Sequence, residues 1–240
     1  MVEDLRTSIR ERYHRTLAQI ADAAVGCGRD PGTVRLVVVT KSQPLEVVRA
    51  AVAAGISIFG ENYAEEAVEK ITALRESAIE WHMIGHVQSR KADLVAANFF
   101  MMHSLDNLKL AGRLNRSCSE LKRRLPILLE FNVSGEASKY GFPACEETGW
   151  PGLADEIEEL LNLPFLHVCG LMTMSPFFLD PERTRPYFQR LRHLREFLTK
   201  QYPKVEWKDL SMGTSFDFVT AIQEGATIVR IGQAIFGPRV

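Results

Sequence analysis

Lys41 closes the run Arg35-Leu-Val-Val-Val-Thr40-Lys41, so an amine follows directly on an apolar, β-branched strand. Burial at such a place disfavours the ammonium and leaves a nucleophile suited to aldehydes. The alternative is a strand-end lysine whose stem lies on the protein and whose head reaches water. Much later, Ser211-Met-Gly213-Thr214-Ser215 is small and hydroxyl-rich and precedes a helical segment, while Gly232-Gln233 follows the last strand-like run. N–H groups at a helix start, with serine and threonine hydroxyls, suit phosphate oxygens, and a glycine lets backbone come close to an anion. A plain helix cap by Thr214 or Ser215 would use the same residues. Arg230 stands between Val229 and Ile231 and needs a partner. That partner is either an internal carboxylate, with Glu61 and Asp217 as candidates, or the ring or phosphate of a ligand.

The elements that must position these groups alternate regularly. Leu5, Ile9, Tyr13, Leu17, Ile20 and Ala24 recur at helical spacing and predict an amphipathic N-terminal helix ended by Gly26 and Gly28. Apolar strand patterns follow at 34–40, 56–59, 80–84, 99–103, 126–133, 163–171, 205–210 and 227–231. Helical patterns at 45–54, 61–75, 88–97, 105–121, 144–161, 181–202 and 215–224 separate them, with a break expected at Trp150-Pro151-Gly152. Eight strands, each but the last followed by a helix, predict an α/β fold of the (β/α)8 TIM-barrel type with an extra N-terminal helix. No Gly-x-Gly-x-x-Gly follows the first strand, which argues against a dinucleotide fold. No composition break divides the chain, so residues 1–240 read as one domain.

In a TIM-type barrel the site lies at the C-terminal ends of the strands, and phosphate sites favour the loops after the seventh and eighth. Lys41 and the two hydroxyl- and glycine-bearing loops share that address. A lysine and a phosphate cup together suit a phosphorylated aldehyde held as a Schiff base. Pyridoxal phosphate (PLP) carries both handles; a phosphosugar forming a lysine imine is the other ligand class.

Other chemistry finds less support. His82 and His86 have metal-like spacing, but only a helix would align them, and Gly85 and the strand pattern oppose one. No metal site is expected, and no Gly-x-Ser-x-Gly elbow is present. Asp155, Glu156, Glu158 and Glu159 read as a solvated helix face. A formal net charge of −1 and a longest basic cluster of Lys122-Arg123-Arg124 argue against a nucleic-acid partner. Cys27, Cys118, Cys145 and Cys169 form no Cys-x-x-Cys pair and suit a reducing compartment. The N-terminus lacks the apolar core of a signal peptide, and no run reaches membrane-spanning length. A cytoplasmic location without a membrane partner is the expectation.

From about Arg35 to Arg239 the chain resembles the pyridoxal phosphate homeostasis protein family. The matching stretches are Val38-Val39-Thr40-Lys41, Phe59-Gly60-Glu61-Asn62-Tyr63, Trp81 to Lys91, Asn132 to Glu136 with Lys139 and Gly141-Phe142, Gly170 to Met174, Leu210 to Ser215, and Val229 to Gly237. The resemblance implies a barrel like the alanine racemase N-terminal domain, with PLP on Lys41. It implies phosphate contacts from Ser211, Ser215 and the backbone at Gly232 and Gln233, within a loop that also holds Gly213 and Thr214. Asn62 and Arg230 would lie near the cofactor, Arg230 at the ring nitrogen, and Met172 would flank the ring. Three departures stand out. Thr40 precedes the lysine where the family commonly has Ser, and Gln43-Pro44 replaces Lys-Pro. Thr214 stands where the phosphate loop often carries a methionine.

The racemases that share this barrel draw a second base, a tyrosine, from a separate C-terminal domain of the partner subunit. The chain ends at Val240 just after the eighth strand, which predicts that this domain is missing and that the protein is a monomer. Tyr63 and Tyr140 are the substitutes to consider, with structural roles favoured for both. A permanent cation at the ring nitrogen would also weaken the ring as an electron sink. The expectation is therefore a non-catalytic PLP carrier or regulator that serves PLP-dependent apoenzymes. The alternatives are a PLP-dependent amino-acid racemase and a Schiff-base phosphosugar aldolase or isomerase. Lys139 reads as a solvated loop residue, the other reading being a second holding point for PLP.

Overall fold

Leu36 and Val38 pack among the helices, whereas Val37 between them joins a separate inner cluster with Met101, Leu128, Met172 and Ile228. A strand buried on both faces has no polar side, which explains the unbroken apolar run at 35–39. The computed structural model describes residues 2–75 and 78–237. The expectation drawn from the end of the chain at Val240 lies outside the described residues.

The strands are β1 (Arg35–Val39), β2 (Ile58–Glu61), β3 (Glu80–Met83), β4 (Met101–Leu105), β5 (Leu125–Asn132), β6 (Phe142–Pro143), β7 (Leu166–Met172), β8 (Asp209–Ser211) and β9 (Ile228–Ile231). All pairings are parallel, in the order β4-β3-β2-β1-β9-β8-β7-β5, and β4–β5 closes the ring. That ring is the expected eight-stranded barrel. The two-residue β6 pairs with the end of β5 and lies outside it. It was not anticipated, because two residues carry no period.

The helices are α1 (Val2–Gly26), α2 (Leu45–Ala53), α3 (Ala64–Ala73), α4 (Ala92–Asn98), α5 (Leu108–Glu120), α6 (Ala154–Leu161), α7 (Arg185–Gln201), α8 (Phe218–Gln223) and α9 (Gln233–Phe236). The expected break at Trp150-Pro151-Gly152 falls within a 3-10 turn, Glu147–Leu153, ahead of α6. The last strand does carry a helix, α9, too short for its period to be read. Several strands sit later than predicted. β4 runs from Met101 to Leu105 rather than over 99–103, so His103 and Ser104 lie within it. β2 runs on through Gly60 and Glu61, and β8 ends on Ser211, so Glu61 and Ser211 belong to the barrel wall rather than to loops.

α1 lies against α2, α8 and α9. Arg29 at its end donates to the carbonyls of Ile222 and Ala226 at 2.7 and 2.9 Å, capping the end of α8. The extra helix thus supports both elements that follow the hydroxyl-rich and glycine loops. Among the described residues no helix is long and apolar enough to cross a membrane.

Candidate functional site

β1 delivers Lys41, and a buried polar knot fixes the turn that carries it. Thr40 is wholly buried, and its hydroxyl donates to Glu61 Oε1 at 2.7 Å. The Lys70 ammonium, 5% exposed, donates to the Thr40 carbonyl and to Glu61 Oε1, each at 2.8 Å, and to Glu66 Oε1 at 2.5 Å. Glu66 Oε1 also accepts the Ser42 N–H at 2.8 Å. Ser42 stands at φ 58°, in the left-handed region, at a cost of about 1–2 kcal/mol that this hydrogen bond helps offset. Burial raises the pKa of Glu61, while Lys70 and Thr40 pull it back. The residue before Lys41 is therefore held by its hydroxyl and by its carbonyl. The family's Ser-to-Thr departure keeps the hydroxyl that this knot uses.

Lys70 was not singled out in the sequence, although a signal was there. It follows Ala64 and Ala67 on the buried stripe of α3, where a lysine is rare unless paired.

Lys41, Asn62, Thr214, Ser215, Arg230, Gly232 and Gln233 line one cavity of about 430 Å3, with Val39, Gln43, Ile84, Met174, Phe216, Phe236 and Gly237 completing the wall. Its place at the C-terminal ends of β1, β2, β8 and β9 is the address expected of such a barrel. The size is that of a small-molecule site. Asn62 Oδ1 is buried without a hydrogen-bond partner among the described residues. A Cβ on Gly232 would come within 3.0 Å of the Val39 carbonyl, so glycine is what lets the end of β9 lie close against β1 beneath the cavity.

The hydroxyl-rich loop divides its work. Thr214 donates from both its N–H and its hydroxyl to Asp217 Oδ1, at 2.6 and 2.9 Å, and Ser175 donates to Asp217 Oδ2 at 2.7 Å. Asp217, not Thr214 or Ser215, is the residue at the start of α8. Ser215 Oγ accepts the Ala234 N–H at 3.3 Å and so ties the two loops together. Gly213 bends the chain at φ 93°, where a Cβ would lie 2.6 Å from the Cβ of Ala221.

Arg230 is buried, and its partners are not the carboxylates considered from the sequence. Glu61 is engaged by Lys70 and Thr40, and Asp217 by Thr214 and Ser175. The guanidinium instead donates to Ser211 Oγ at 2.5 Å, to the Thr173 carbonyl at 2.9 Å and to Met174 Sδ at 3.0 Å. Burial lowers its pKa to about 10, opposed by Glu130 and Asp217, so at neutral pH it remains a cation. Across the barrel Glu130 is pushed up to about 7, first by burial and then by Asp106, with Arg230 and Lys139 acting against both.

Met172, Ser211 and Gly213 do not reach the cavity wall. Met172 belongs to the inner apolar cluster, and Met174 faces the cavity in its stead. Ser211 lies beneath, between Arg230 and His103. Tyr63 and Tyr140 are exposed and line no part of the cavity; Tyr140 stacks on His86 with ring centroids 3.7 Å apart. His82 and His86 belong to separate networks, with His103 and Asp106 respectively. No group suited to a metal ion occurs among the described residues. Lys139 donates to the Ser175 carbonyl at 3.3 Å.

The known proteins that this chain is similar to form a consistent group. Residues 27–240 match the family "Alanine racemase, N-terminal domain". The chain is 41% identical to the pyridoxal phosphate homeostasis protein of Vibrio alginolyticus over 97% of this chain and 98% of that one. The structure of PipY from Synechococcus elongatus with PLP bound superposes with a TM-score of 0.82 at 32% identity, covering 95% of this chain and all of PipY. Alanine racemase from Corynebacterium glutamicum, at 17% identity and a TM-score of 0.69, shares the fold over 99% of this chain and 62% of its own.

Proposed function

Because this chain belongs to the pyridoxal phosphate homeostasis protein family, we propose that its cavity holds PLP through Lys41 and that the protein stores and hands over the cofactor. The observation that carries this reading is the lysine amine in one cavity with Ser215, Gly232 and Gln233. An aldehyde handle and a phosphate handle are thereby met at the two sides of one small site. When bound, PLP supplies an aldehyde that an amine captures reversibly.

The chain's own residues have separable tasks. The Glu61–Lys70–Glu66 knot orients the turn at Lys41 and limits its freedom before any ligand arrives. Ser215 and the amides at Gly232 and Gln233 form the anion side. Asn62, whose buried acceptor has no partner among the described residues, answers a donor on the ligand. Arg230 offers a cation from beneath. Ser211 seats Arg230 and Gly213 shapes the loop from behind the wall, while Met172 packs in the inner apolar cluster.

A carrier is favoured over a racemase by the lining itself. Among the described residues of the cavity wall, Lys41 and Arg230 are the ionisable side chains, and an arginine is a poor base at neutral pH. A second base opposite Lys41 is what racemisation requires. Four unpaired cysteines fit action in the cytoplasm, where PLP-dependent apoenzymes would receive the cofactor.

Purified protein titrated with PLP should bind one equivalent and develop a visible absorption band. Incubated with single-enantiomer amino acids, it should leave them unchanged. Steady racemisation at catalytic protein concentrations would contradict the carrier reading, and absence of saturable binding would contradict the cofactor reading.

A further inference from the structure

A polar thread crosses the apolar interior of the barrel beneath the cavity. His103 Nδ1 lies 2.9 Å from Ser211 Oγ, and His103 Nε2 lies 2.8 Å from His82 Nδ1. His82 Nε2 faces Glu80 Oε2 at 3.7 Å, at the start of β3 and therefore at the opposite end of the barrel. His82, His103, Ser211 and Arg230 are all buried. Nothing in the holding of PLP uses the two histidines.

The polarity of this thread follows from its upper end. Arg230 has no acceptor, so at 2.5 Å it must donate to Ser211 Oγ. The Ser211 proton then goes to His103 Nδ1, which has to be unprotonated. His103 carries its proton on Nε2 and donates to His82 Nδ1. His82 in turn carries its proton on Nε2, which makes no hydrogen bond among the described residues and points toward the Glu80 carboxylate at 3.7 Å, so the hydrogen-bonded part of the thread ends at His82. The reverse polarity would strand the Ser211 hydroxyl proton in a buried site and aim a ring lone pair at a carboxylate, and both are costly.

We infer that Arg230, Ser211, His103 and His82 form a one-way hydrogen-bond thread in which both rings are neutral Nε2–H tautomers and His103 is a positioning residue for the Arg230 guanidinium. The cofactor consequence rests on the PLP reading above; the tautomers do not. The charged and titratable groups around the rings agree with it. Burial lowers the pKa of both histidines, Arg230 and Arg35 act in the same sense on His103, and Glu80 and Asp209 only partly offset this at His82.

Two measurements test it. In 15N-histidine-labelled protein without PLP at pH 7, both rings should be neutral with protonated Nε2; a proton on Nδ1 of either ring overturns the thread. For positioning, His103→Asn keeps an acceptor where Nδ1 was but loses volume, whereas His103→Leu keeps more volume but no acceptor. PLP dissociation constants should be near wild type for His103→Asn and about tenfold weaker for His103→Leu, the scale of one hydrogen bond to a charged group. Equal weakening in both variants, or a weaker His103→Asn, would make His103 a packing residue and overturn the positioning role. Should the wild type bind no PLP, the cofactor reading and the positioning role fall together, while the NMR result still decides the thread.

Discussion

Lys70 donates from α3 to the Thr40 carbonyl at 2.8 Å, so a buried cation holds the backbone one residue before Lys41. The same ammonium meets Glu61 and Glu66. The turn that carries Lys41 is thus held by charges that belong to other elements and that line no part of the cavity.

Removing that cation leaves two carboxyl groups facing each other without a counter-charge. Lys70→Met should destabilise the protein by about 3–5 kcal/mol, read as a lower urea midpoint with an unchanged slope. PLP should also dissociate faster, because the turn at Lys41 loses its tie. Thr40→Ser should be near wild type, and Thr40→Val should lose about 1.5–3 kcal/mol, because the charged Glu61 Oε1 loses one of its two donors and keeps Lys70 alone.

Glu130 makes stability pH-dependent. Its carboxyl has an ordinary pKa of 4.5, raised to about 7 by burial first. Between those values the folded chain keeps a proton that the unfolded chain has released, so stability falls as pH rises through the window. A shift of that size is worth about 3 kcal/mol. Glu130→Gln should flatten the wild-type loss between pH 4.5 and 7 when urea unfolding is followed across that range. An unchanged pH profile would show that Glu130 titrates normally.

How much of this could be read beforehand follows from the kind of signal each part leaves. The β-branched run at 35–39 and its successors announced a parallel barrel, because strands buried on both faces must be apolar throughout. The strand-end address also brought Lys41, Asn62, Thr214, Ser215, Arg230, Gly232 and Gln233 to one cavity. Register was less legible. Extending β8 to Ser211 moved that hydroxyl from the loop into the wall, and the positive φ of Gly170 and the shifted β5–β7 register accompany the exchange of Met172 for Met174 at the cavity. Pairings such as His82 with His103, or Thr40 with Lys70, need barrel closure and helix docking, and no local pattern encodes them.

The bend at Gly213 should tolerate no side chain. Its φ is 93°, and an added Cβ would approach Phe218 Cα at 3.0 Å as well as Ala221. Gly213→Ala should cost about 2–4 kcal/mol. Gly112, inside α5, has nothing within 4 Å of an added Cβ, so Gly112→Ala should stabilise by up to about 1 kcal/mol. Thermal unfolding of the two variants compares them directly.

Ser215 should matter to the anion rather than to the fold. Ser215→Ala should weaken PLP binding about tenfold and leave the melting temperature of the protein without PLP within a degree or two (~0.5 kcal/mol, a surface-scale change). An equal dissociation constant would remove Ser215 from the phosphate side.

Borohydride reduction of the PLP-loaded protein, followed by peptide mapping, locates the covalent tether of the cofactor. One stable pyridoxyl label is expected, on the peptide containing Lys41, and none at that level in Lys41→Ala. Stoichiometric label on a different lysine of the wild-type protein would contradict a tether at Lys41.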